Sequence, residues 1–180
     1  SDNATVGGGG NNTASSDYST VGGGRENIAS GIESTIGGGF DNTVSGEEST
    51  IGGGDRNNIS TNNSVIGGGE LNSISTGTYG SILGGLNNST TGNKATVGGG
   101  EDNTASSNYS TVSGGQNNTA SNGHGTIGGG QNNTASGPSH STVSGGINNT
   151  ASAQQSVVSG GVSNTASGSR SIVGGGQNND

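Results

Sequence analysis

Two histidines, His124 and His140, stand sixteen residues apart in a chain of 180 that contains no cysteine. Imidazole serves as a general acid or base or as a metal ligand, but a metal site needs further ligands at fixed distance from such a pair. The adjacent carboxylates Glu47-Glu48 and Glu101-Asp102 would need a cleft around them to divide acid and base roles. The glycine triplets, such as Gly22-Gly23-Gly24, superficially resemble phosphate loops, yet neither a Lys-Ser/Thr step nor a helix follows them. Gly37-Gly38-Gly39-Phe40-Asp41 hints at calcium-binding Gly/Asp nonapeptides, but the period is wrong and the Asp is usually replaced by Asn. Tyr18, Tyr79, Tyr109 and Phe40 fall in or beside turns and read as edge cover, with contact to a partner as the alternative. These residues predict no enzyme, no metal and no cofactor.

What would position them is a repeat. A Val or Ile recurs at 6, 21, 36, 51, 66, 82, 97, 112, 127, 143, 158 and 173, in steps of 15 with two steps of 16. Numbering that residue as position 1, positions 3 and 4 are Gly in every copy. Position 7 is always Asn: Asn12, Asn27, Asn42, Asn57, Asn72, Asn88, Asn103, Asn118, Asn133, Asn149, Asn164 and Asn179. Position 9 is mostly Ala, position 10 nearly always Ser, and position 15 usually Thr. Eleven of the 12 acidic residues, and all four basic ones, fall at positions 5, 6, 12 or 13. Fixed types at fixed places mean that each place has a structural task, despite a composition of 22% apolar residues and 42 glycines that would otherwise suit a disordered chain.

A unit this short is too small for a helical pair and lacks good helix formers. Ser-Thr-Val and Asn-Thr-Ala-Ser read as two short strands, with one turn at the Gly pair and another at positions 11 to 13, where charges and extra residues accumulate. The fold class expected is all-β: a parallel β-solenoid or β-roll of about twelve coils, one repeat array over residues 1–180. The opening Ser1-Asp2-Asn3 falls in mid-repeat, so the array is expected to be an excerpt of a longer chain. Alternation places positions 14, 1 and 3 on one inward face and 7 and 9 on another, with the Asn column forming an amide ladder. Outward lie two threonine files. The first holds Thr20, Thr35, Thr50, Thr96, Thr111, Thr126 and Thr142, interrupted by Val65 and Ser81; the second holds Thr104, Thr119, Thr134, Thr150 and Thr165.

Net charge of −8 argues against nucleic acid and against anionic lipid as partners, and no apolar run is long enough to span a membrane. One Val or Ile and one Ala per coil is little apolar surface to set against the ordering of so glycine-rich a chain. A homo-oligomer of rods packed side by side, or a filament, is therefore expected.

The repeated S-T-V-x-G-G-x-x-N-x-A-S-G is carried by Ser19-Thr20-Val21-Gly22-Gly23-Gly24 with Asn27-Ile28-Ala29-Ser30-Gly31, and by Ser141-Thr142-Val143-Ser144-Gly145-Gly146 with Asn149-Thr150-Ala151-Ser152. It resembles the head repeats of trimeric autotransporter adhesins, whose more usual period is one or two residues shorter. The resemblance implies a left-handed parallel β-roll, three chains on a common axis, and an extracellular place on a bacterial surface, binding host or environmental surfaces. It favours a structural and adhesive rod acting through multivalent contacts. An ice-binding solenoid using the threonine files is the alternative, and an amyloid-like or phage-type fibre subunit is a third.

Overall fold

Residues 2–180 are described by a computed structural model, and they wind into a parallel β-solenoid with no helix among the described residues. Two strands form per coil, each two residues long. The first series runs from β1 (Thr5–Val6) to β23 (Ile172–Val173) and builds a 12-stranded sheet. The second runs from β2 (Thr13–Ala14) to β22 (Thr165–Ala166) and builds an 11-stranded sheet. The chain therefore makes about eleven turns, each linking a residue to its counterpart one coil on, as in Thr20↔Thr35 and Ala105↔Ala120. A third, single-residue ladder runs down position 5, from Gly10↔Arg25 to Val162↔Gln177.

The strands are short because the chain cannot stay extended. Position 4 is a glycine at φ 87 to 97° in every coil from Gly9 to Gly176. A Cβ on Gly24 would overlap the carbonyl oxygen of Gly39 in the next coil, so conformation and close approach both demand glycine there. Positions 6 and 13 are left-handed as well, with φ between 52 and 61° in all twelve copies of each, and none of these residues is glycine. That conformation turns the peptide around. In the sheets N–H groups donate to the following coil (Thr20 N to Ser34 O, 2.8 Å), whereas at positions 6 and 13 they donate to the preceding one (Glu26 N to Gly10 O and Tyr18 N to Asp2 O, both 2.9 Å). Each corner thus stays hydrogen-bonded while the chain changes direction.

Inside lie Val or Ile at position 1, Ala or a larger residue at 9, Asn at 7 and Ser at 14, all fully buried from Val21 to Val158 wherever those types occur. The Ser34 hydroxyl donates to Gly31 O at 2.7 Å, tying the second turn to the strand that follows. Position 3 departs from the expected inward alternation. Gly23 is half-buried, and a Cβ there would meet nothing within 4 Å, because the strand has already ended at position 1. Both extra residues are absorbed between positions 10 and 14, and pairing resumes in step: Ser73↔Ser89 and Thr126↔Thr142 span them.

Candidate functional surfaces

The asparagine column is structural in its geometry. The backbone N–H at position 7 points to the preceding coil and finds the side-chain oxygen of its Asn: Asn27 N to Asn12 Oδ1 is 3.0 Å, and the link repeats through Asn179 N to Asn164 Oδ1 at 3.0 Å. The side-chain nitrogen bridges two further carbonyls. Asn118 Nδ2 donates to Gly114 O of its own coil at 3.1 Å and to Gly130 O of the next at 2.9 Å. With its further bond from Nδ2 to Asn103 Oδ1 of the preceding coil (3.1 Å), the Asn118 amide meets groups from three consecutive coils, at the corner where the backbone ladder is interrupted.

Both threonine files stand in register on the outside of their sheets. Thr96, Thr111, Thr126 and Thr142 are consecutive rungs of the first. Thr20, Thr35 and Thr50 form an earlier run, which the structure extends to Thr5. Val65 and Ser81 separate the runs. In the second sheet Thr104, Thr119, Thr134, Thr150 and Thr165 are five consecutive rungs, each half-buried. Thr13 and Thr43 belong to the same file but are isolated by Ile28 and Asn58. Two residues beyond four of these threonines, Ser106, Ser121, Ser136 and Ser152 are exposed and continue the ladder, as in Ser106 N to Ala120 O at 3.0 Å. The outcome is a double rank of Thr and Ser hydroxyls at positions 8 and 10, as expected of the outward positions that flank the inward residue 9 in each Thr-Ala-Ser triplet.

The histidines come together. His124 and His140 stack face to face with ring centroids 4.6 Å apart, and Tyr109 stacks on His124 at 4.9 Å. Lys94 Nζ lies 5.2 Å from the Tyr109 ring centre and 5.9 Å from that of Tyr79. Ser139 Oγ bonds to His140 Nδ1. Position 13 of five consecutive coils is thus a single column of side chains, Tyr79, Lys94, Tyr109, His124 and His140. No group of three or more His, Cys, Asp or Glu residues is placed to hold a metal ion among the described residues. The carboxylate pairs lie on different corners, Glu47-Glu48 at positions 12 and 13 and Glu101-Asp102 at 5 and 6, and no cavity forms among the described residues. The acidic residues instead take neighbouring donors, as in Asn63 Nδ2 to Glu48 Oε2 at 2.7 Å and Arg56 to Glu70 at 2.6 Å.

No protein-family model matches this chain, and no curated protein matches it.

Proposed function

We propose that the chain is a non-catalytic extracellular rod that assembles side by side with copies of itself, three being favoured, and adheres to surfaces through many repeated contacts. The observation that carries this reading is the pair of in-register sheet faces, whose outward positions hold small, mostly uncharged residues while charge is confined to the corners. Faces of that kind let neighbouring rods approach closely, and corner charges keep the assembly soluble. Repetition makes adhesion a matter of avidity, in which weak contacts multiply along the rod without a pocket. The resemblance to autotransporter adhesin heads supports the same reading and, with it, a location on a bacterial surface. Sedimentation equilibrium of residues 1–180 tests the assembly, with a mass three times that of the 17.0 kDa chain expected. A folded species at the single-chain mass would remove it.

A second reading is favoured by one specific observation, the five-rung Thr file joined by Ser in four of its coils. Hydroxyls repeating in register at the coil spacing of about 4.8 Å on one sheet face suit an ordered water lattice, and hence ice. Thermal hysteresis measured on the intact chain decides it: activity that is lost in Thr119→Lys and retained in Thr20→Lys would establish that face as ice-binding.

A further inference from the structure

The corner built from positions 12 and 13 carries opposite charge in its two halves. Its N-terminal coils hold Asp2, Asp17, Glu33, Glu47 and Glu48, with no basic residue. From Thr76 onward the same corner holds Lys94, His124, His140 and Arg170, with no acidic residue. These side chains are exposed and form one column, because each position-13 N–H donates to the position-12 carbonyl of the coil before it, from Tyr18 N to Asp2 O (2.9 Å) through Arg170 N to Gln154 O (2.8 Å). The opposite corner, at positions 5 and 6, serves as an internal comparison. It mixes Arg25 and Arg56 among acids in its first half and is uncharged from Gln116 to Asn178. Segregation by sign belongs to one corner alone.

We propose that this corner is an antiparallel docking strip for a second copy of the chain. When two copies are laid side by side about a two-fold axis between Tyr79 and Lys94, the charged residues at position 13 fall opposite complementary ones, while Tyr18 meets Gln155 and Asn63 meets Tyr109. Glu33 falls opposite His140 of the second copy, Glu48 opposite His124, Lys94 opposite Tyr79, and Asp2 reaches Arg170. The pairing is isologous, so each favourable contact occurs twice, and it closes on itself without leading to a filament. A parallel arrangement in register would place Glu on Glu and His on His.

The exposed rings add contact area at the middle of the strip: Tyr79 is 56% exposed and Tyr109 48%. His124 is flanked on its own chain by Tyr109 and His140, with Lys94 beyond Tyr109, so no carboxylate of its own column competes with the second copy for it. Eleven turns at about 4.8 Å make a strip of about 50 Å, which at about 10 Å width covers roughly 500 Å² per partner, the low end for a specific contact. A single pair is accordingly weak and salt-sensitive, and gains strength in arrays. Rods standing on two opposed surfaces meet antiparallel, so the strip would join like surface to like surface. That last step rests on the adhesive reading above, whereas the pairing rests on the corner alone.

The test uses the intact chain at about 20 mM salt and about pH 6, where surface charges are weakly screened. Glu33→Lys with Glu48→Lys makes one variant, and His124→Glu with His140→Glu makes the other. Position 13 already holds Glu, Lys and His in the same backbone conformation, so both variants keep the fold. Each alone should self-associate at least about tenfold more weakly than the unaltered chain, and a mixture of the two should return to within about threefold of it. The register is read separately by single cysteines in a chain that has none. Glu33→Cys should form a disulfide with His140→Cys, and Glu48→Cys with His124→Cys, but not like with like. A mixture no tighter than its components, or like-with-like disulfides forming as readily as the unlike ones, would overturn the proposal.

Discussion

Leu71 is an exposed leucine at φ 59°, a backbone state in which an L-residue's Cβ crowds the following carbonyl. It is one of the position-6 and position-13 residues held there by the corner hydrogen bonds; Leu71 N donates to Asp55 O at 3.0 Å. Asn tolerates this conformation better than Leu. Leu71→Asn is therefore expected to raise stability by about 0.5–1 kcal/mol in urea unfolding. Asn88 presents the opposite case. Its side chain donates to Gly84 O and Gly100 O at 3.1 and 2.9 Å and accepts from Asn103 N at 3.0 Å. Asn88→Leu leaves those groups unpaired inside the rod and should cost about 3 kcal/mol, seen as a lower urea midpoint. The amide column was legible in the sequence because one residue type at one place in every copy needs a reason. The left-handed corners were less legible: Asn or Asp stands at eight of the twelve position-6 sites and favours such a turn, but Tyr, Glu, Lys, Arg and Leu share the corners and do not.

Within the coil, positions compensate for one another. The usual Ser of position 14 is replaced by Gly80, where a Cβ would lie 2.7 Å from Ile74 Cγ2 and 3.0 Å from Thr90 Oγ1. Larger residues at position 9 of adjacent coils thus take the volume that the serine would use. Thr90 carries a cost in return: its hydroxyl is buried without a partner. Thr90→Val keeps the shape and removes the unsatisfied oxygen, so thermal unfolding should show a gain of about 1 kcal/mol. Asn122 and Gly125 form a similar exchange. The Asn122 amide fills the space of the missing serine, and both of its polar atoms lack partners. Gly125→Ser alone should destabilise by about 1–3 kcal/mol through overlap with Asn122, since a packed interior resists added atoms. Joined with Asn122→Ser it should recover, because Ser107 and Ser110 already show the arrangement, with Ser110 Oγ donating to Ser107 O at 2.6 Å. The strands themselves could be read from the repeat, as could the place of the extra residues. The outward place of position 3 could not, since alternation holds only while the strand lasts, and here it ends after two residues.

Across the whole molecule, every coil closes on its neighbours alone, so stability should follow the number of coils and not any one contact. Removing residues 98–112 joins Val97 to Ser113, and both flanks then meet at the same position of the repeat. Val97 already pairs with Val112, so the new neighbours present the surfaces that the deleted coil did, and Asn88 stands one rung from Asn118. The shortened rod is expected to keep its β circular dichroism signal per residue and to unfold cooperatively only a few degrees lower, in line with a modest loss of stability. Removing seven residues from the same place, 98–104, has a different consequence. It sets Val97 against Ala105, brings a position-9 residue to where position 2 belongs, and discards Asn103 from the amide column. The shortened coil at the junction could not close in register and its corner hydrogen bonds would lose their partners, so the coils on either side should separate into two independently melting halves. Equal melting of the two deletions would show that the coils are not the cooperative unit.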